Sequence, residues 1–142
     1  MTSVLGVLIG LVGFYLTFTQ LTRTEQTLRA SNTYQVQKDA REIISKIMGD
    51  AKFRATLRQS TVDPSDTEFV DKLWLMLNFY GSVFRQSRIN GLSDEFVTSI
   101  QKDFCGFMRN KAVASGWSTL LANDQISETH KSMKTAWCGD AP

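Results

Sequence analysis

Few side chains in this sequence are of a type that does chemistry, and their spacing suits none of the familiar sites. The one histidine, His130, lies in the polar stretch Ser127-Glu128-Thr129-His130-Lys131, where a solvated helix residue is expected. A zinc site needs several nitrogen, sulfur or carboxylate ligands converging on one point. One histidine with no Cys or acid cluster at ligand spacing does not supply them, so no metal residue is assigned. Cys105 and Cys138 match no metal or redox spacing. They read as two unpaired thiols in a reducing compartment, with Cys105 a small buried hydrophobe among Phe104, Phe107 and Met108. Asp94-Glu95 is a pair of carboxylates at an expected helix start, where negative charge complements the helix dipole. Neither Gly-x-x-x-x-Gly-Lys-Ser/Thr nor Gly-x-Gly-x-x-Gly occurs. The expectation is a protein that is not an enzyme, with no catalytic residue, no cofactor and no small-molecule substrate.

The remaining candidates bind rather than react. Gly6, Gly10 and Gly13 fall on nearly one side of a helix, and Gly6-x-x-x-Gly10 is the small-residue pattern that lets two membrane helices approach closely. Arg23 and Arg29 follow the apolar run and are placed to meet anionic lipid headgroups. Asn78, one step from Leu77 on an apolar helix, is read as a buried polar tie between two helices, which would need hydrogen-bond partners. Nucleic acid is not expected as a partner. The basic residues from Arg23 to Arg58 are diluted by Glu25, Asp39, Glu42 and Asp50, and the formal net charge of the 142-residue chain is only +2.

The elements that carry these residues follow from composition and periodicity. Val4 to Leu21 is uncharged and mostly apolar. As a helix it is about 27 Å long at 1.5 Å per residue, close to a bilayer core of about 30 Å. A cleaved signal peptide would need a positive start and small residues at a cleavage site, and both are missing. Residues 1–21 are therefore expected to be a transmembrane anchor, making the lipid bilayer one partner. No Lys or Arg precedes Arg23, while Arg23, Arg29, Lys38 and Arg41 follow the span. That asymmetry places the C-terminal domain in the cytosol, and unpaired thiols would agree.

Past the anchor, neither glycine nor proline occurs between Phe14 and Met48, so one long rod is expected. Residues 22–33 read as a polar helical stalk, with a break at Ser31-Asn32. Residues 34–122 read as a helical cytoplasmic domain of about four helices. Its signals are the apolar stripe Val36, Ala40, Ile43, Ile44, Ile47; a short helix over 51–59; and a turn at Ser60 to Pro64. A capping box, Ser65 to Glu68, then opens a helix with Phe69, Leu73, Leu77, Tyr80 and Phe84 inside. Gly91 is the expected left-handed stop, Ser93 the next cap, and Ser115-Gly116 the end of a helix from 94 to 114. Trp117 opens a last short segment, and 123–142 reads as a polar C-terminal tail. The fold class is all-α: one N-terminal transmembrane helix followed by a small helical bundle.

The segments Leu77-Asn78-Phe79-Tyr80, Arg88-Ile89-Asn90-Gly91-Leu92-Ser93-Asp94-Glu95-Phe96 and Trp117 resemble a pattern in uncharacterised bacterial single-pass membrane proteins. Those have one N-terminal span and a small helical cytoplasmic domain of unknown function. The resemblance covers about residues 36–121. It implies the bacterial inner membrane and carries no activity with it. Tyr80-Gly81 departs from the family's acidic version of the position after Asn-Phe.

Together these readings lead to an accessory or scaffold subunit of a membrane protein complex, with an integral membrane protein partner. The rival expectation is a membrane-anchored signalling or defence effector that self-associates through its span. An enzyme with a helical active site ranks third.

Overall fold

Apolar side chains recur every three or four residues from Phe69 to Phe84, and the helix they specify is the axis of the molecule. In the computed structural model, residues 2–59 and 66–139 are described, with side chains from residue 11 onward. Six helices occur among them: α1 (Thr2–Met48), α2 (Ala51–Leu57), α3 (Thr67–Arg88), α4 (Asp94–Met108), α5 (Lys111–Ala122) and α6 (Glu128–Cys138). The chain is all-α. The central helix α3 packs against each of the other five, and its inward stripe includes Leu73, Leu77 and Val83, all fully buried.

Helix α1 is one uninterrupted rod of 47 residues, about 70 Å at 1.5 Å per residue. Its two halves meet different surroundings. Thr33, Val36, Ala40 and Ile47 are buried, with Ile43 partly so; alternating steps of three and four keep one face on the bundle. Upstream, from Leu11 to Leu28, no residue is buried. Ser31-Asn32 does not break the rod. Thr33, the last residue of the expected stalk, already belongs to the bundle, where its hydroxyl accepts from the Ser93 backbone N–H at 2.9 Å.

Several boundaries differ from the sequence reading. Asp66, not Ser65, provides the side chain that accepts from Phe69 N–H at the start of α3, and Glu68 turns instead to Lys72 and Lys52. Residues 60–65, which hold Ser65 and the expected turn, lie outside the described residues. Asn90, at φ 54°, is the left-handed residue after α3. Gly91 N–H then closes onto Gln86 O at 2.9 Å, the longer bond of a Schellman stop. The expected helix 94–114 is two helices. Arg109-Asn110 divides them because the Asn110 side chain accepts from Ala112 and Val113 N–H and caps α5. Gly116 therefore lies inside α5, where a Cβ would run into Leu73 and Phe69 of α3. It is a close-packing residue, not a stop.

The largest correction is at the C-terminus. The expected polar tail contains α6, which packs on α3 and α4. Ile126, His130 and Met133 are buried, and Trp137 packs against the core. The spacing 126, 130, 133, 137 is an ordinary helical stripe, masked by the polar residues between. Residues 138–142 read as a frayed end, but Cys138 is helical and disulfide-bonded, and residues 140–142 lie outside the described residues.

Candidate functional site

Cys105 on α4 and Cys138 at the end of α6 form a disulfide, with Cα atoms 5.5 Å apart. This overturns the reading of two unpaired thiols. They meet because α6 docks antiparallel-fashion onto a face the sequence reading left uncovered, and Gln101 adds a hydrogen bond from Nε2 to Trp137 O at 3.0 Å. Trp137 also sets its ring edge against Phe84 and Phe104, with centroids 5.4 and 5.7 Å away. The disulfide lies in the wall of a cleft of about 270 Å³ formed by α4, α5 and α6. Met108, Trp117 and Trp137 give it apolar surface, and Arg109 and Lys134 bring positive charge. Lys134 Nζ is 5.7 Å from the centre of the Trp117 ring.

His130 is buried, not solvated. Its Nδ1 accepts from Ser127 N–H at 3.3 Å and lies 2.9 Å from Ser127 Oγ. The ring thus reaches back over the first turn of α6, as the acidic member of a capping box usually does. With Nδ1 accepting, the neutral ring carries its proton on Nε2, which faces Gly81 of α3 and has no hydrogen-bond partner. Burial pushes its pKa below the usual value. The Leu77 carbonyl favours the charged ring, from outside hydrogen-bonding geometry, and Arg85 opposes it.

A third cluster joins α2 and α3. Lys72 contacts Asp50 and Glu68, and Lys52 contacts Asp66 and Glu68. Asp50 also caps α2 by accepting from Phe53 N–H at 2.8 Å. Hydrogen bonding from Lys72 lowers the pKa of both Asp50 and Glu68, and their carboxylates raise that of Lys72. Every carboxylate here has a lysine or a helix N-terminus as partner, so the arrangement is a clamp. Among the described residues no group of three His, Cys, Asp or Glu comes together as a metal would require.

The residues singled out by the sequence lie apart from these clusters. Gly6 and Gly10 lie outside the described side-chain surroundings, and Gly13 has open space where a Cβ would be. Arg23 is exposed. Arg29 is part-buried beside the bundle and pairs with Glu25 at 3.3 Å. Asn78 is not a tie between helices: it is half-buried, and its amide donates to Trp74 O one turn back on its own helix. Asn110 does that work instead. Besides capping α5, it donates from Nδ2 to Leu57 O at 2.8 Å, fastening α2 to α5.

The expected span is described only in part. Among the described residues no helix is long and apolar enough to cross a membrane, and the side chains of Val4 to Gly10 lie outside them. Comparison with protein-family models, with curated proteins and with solved structures finds no match to the chain. The functional reading therefore rests on the surfaces themselves.

Proposed function

We propose that this chain is a membrane-anchored interaction protein, an accessory or scaffold subunit of a membrane complex that reaches its partners through the free half of α1 and through the bundle. One observation carries the reading. Leu11, Val12, Phe14, Tyr15, Leu16, Phe18 and Leu21 stand between 53% and 73% exposed on a helix that touches nothing there. Apolar surface of that extent is normally covered by lipid or by protein, and the uncharged sequence from Val4 to Gly10 prolongs it. The threonines on this stretch are compatible with lipid. Thr17 and Thr19 donate their hydroxyls to Gly13 O and Leu16 O within the helix, which leaves neither threonine hydroxyl unsatisfied in hydrocarbon.

The basic flank after Leu21 favours the cytosolic side for the bundle. There, a half-exposed disulfide would be open to exchange with cellular thiols. A second reading of sidedness has the disulfide in its favour, since such bonds persist in oxidising compartments. In that reading the bundle lies across the membrane from the cytosol. Fusion of a reporter after Pro142 separates them: a cytosol-only reporter is active in the first case, a periplasm-only reporter in the second. The role itself is tested by purification in mild detergent. A stoichiometric integral membrane partner supports the subunit, self-association alone supports the effector, and a monomer without partners defeats both.

A further inference from the structure

We infer that the cleft between α4, α5 and α6 binds a small organic carboxylate with an aromatic or short apolar body. The inference does not depend on the anchor, because every residue it uses lies in the bundle. The cleft lining has two cations, Arg109 and Lys134, and no Asp or Glu. Neither cation makes an ion pair among the described residues, a state they share with most of the chain's Lys and Arg, so both charges are free to meet a ligand. Lys134 is half-buried and rests over the Trp117 ring, a placement that keeps its charge at an apolar wall with only cation–π attraction to hold it. Arg109 follows the last turn of α4, and its planar fork suits a carboxylate's two oxygens.

The rest of the lining fits the other end of such a ligand. Met108, Trp117, Trp137 and the disulfide offer polarisable apolar surface. The disulfide and the Gln101 bond to Trp137 O both tie the end of α6 to α4 beside Trp137, so that wall is largely pre-formed. A volume of about 270 Å³ corresponds to about nine waters at roughly 30 Å³ each. That suits one ring or a short acyl chain.

The test uses the full-length chain in mild detergent, observing the indole N–H signals of its three tryptophans. Trp117 and Trp137 line the cleft, while Trp74 lies on α3 outside it and reports on non-specific effects. Phenylacetate is the probe, with phenylacetamide and acetate as partners lacking the charge or the ring. Phenylacetate should shift Trp117 and Trp137 saturably and leave Trp74 unmoved. Phenylacetamide should bind at least about tenfold more weakly, as should Arg109→Gln and Lys134→Gln, the loss expected of one charge-assisted hydrogen bond; acetate should bind at least about tenfold more weakly because it buries no ring. An unchanged Trp74 signal in the variants shows that they fold. Equal binding of the amide removes the carboxylate from the inference, and equal binding of acetate removes the apolar body. Either result overturns it, as does unsaturable movement of all three signals or unaltered binding by both variants.

Discussion

Protonating His130 would place a charge between α3 and α6 with no acceptor at Nε2 and with Arg85 nearby. The folded pKa lies below the ordinary value of 6.5 because burial disfavours the imidazolium. The unfolded chain therefore takes up the proton first as pH falls. The stability due to the neutral ring is complete above about pH 6.5. It is lost as pH drops through the lowered folded value. This is the chain's only histidine, so a fall in the urea midpoint between pH 7.5 and about pH 5.5, above the range where Asp50 and Glu68 take up protons, is assigned to it. His130→Gln should flatten that slope; an unchanged slope would show that the ring charges freely. Two glycines give a second residue-level contrast. Gly116→Ala gains about 1 kcal/mol of helix propensity but drives a Cβ into Leu73 and Phe69, and overpacking costs about 1–3 kcal/mol. It should lower stability by about 1 kcal/mol. Gly106 sits on α4 with open space around it, so Gly106→Ala should raise stability by up to about 1 kcal/mol. Chemical denaturation reads both signs. Neither site was legible as such: a glycine in sequence looks like a stop whether it ends a helix or lets two helices touch.

At the scale of elements, the sequence exposed what depends on local pattern and concealed what depends on which faces meet. The α3 stripe was readable because its apolar residues dominate their neighbourhood, and Leu77, one of them, is fully buried. Leu77→Ala should cost about 2–5 kcal/mol; a loss below about 0.5 kcal/mol would contradict that burial. The α6 stripe has the same spacing, but His130 does not look apolar, and the surrounding Glu128, Lys131 and Lys134 suggested a solvated segment. With residues 123–142 read as a polar tail, no element brings Cys138 to Cys105, and the pairing has no signal in the sequence. Asn110 was missed for a similar reason. Its cap on α5 was hidden within a helix drawn through it, and its bond to Leu57 O joins residues far apart in sequence. The disulfide closes a loop with a sequence separation of 33 residues, for which the chain-entropy model gives about 3–4 kcal/mol. Replacing both cysteines by serine should lower stability by about that amount. Under reducing conditions the wild-type chain should approach the double variant. If reductant leaves its midpoint untouched, the thiols are not joined in the isolated protein.

The whole molecule is a bundle fastened to one end of a rod, and the two parts are held by different forces. Among the described side chains, those of α1 in the core lie at or beyond Thr33, so none of the exposed apolar side chains from Leu11 to Leu28 contributes to the bundle's packing. A fragment covering residues 32–142 should therefore keep its helical circular dichroism and unfold cooperatively. In the full chain, Leu16→Arg should leave the bundle's midpoint unchanged while removing the protein from the membrane fraction. A guanidinium in an apolar helix costs up to about 2.5–3.5 kcal/mol on insertion scales, the full amount at its centre, and Leu16, inside the apolar run, is 53% exposed with no protein neighbour to shelter the charge. A fragment that loses its helical signal would mean that the upstream rod supports the fold. Full membrane retention of Leu16→Arg would mean that the rod is held by a protein groove wide enough to accept arginine, and that lipid is not what covers it. Gly13→Ile refines the second outcome. Gly13 has open space at its Cβ position, so bulk there is harmless in lipid but not against a closely packed helix. Loss of co-purification with normal membrane retention identifies that side of α1 as the protein contact, and no loss leaves the bundle as the surface that selects the partner.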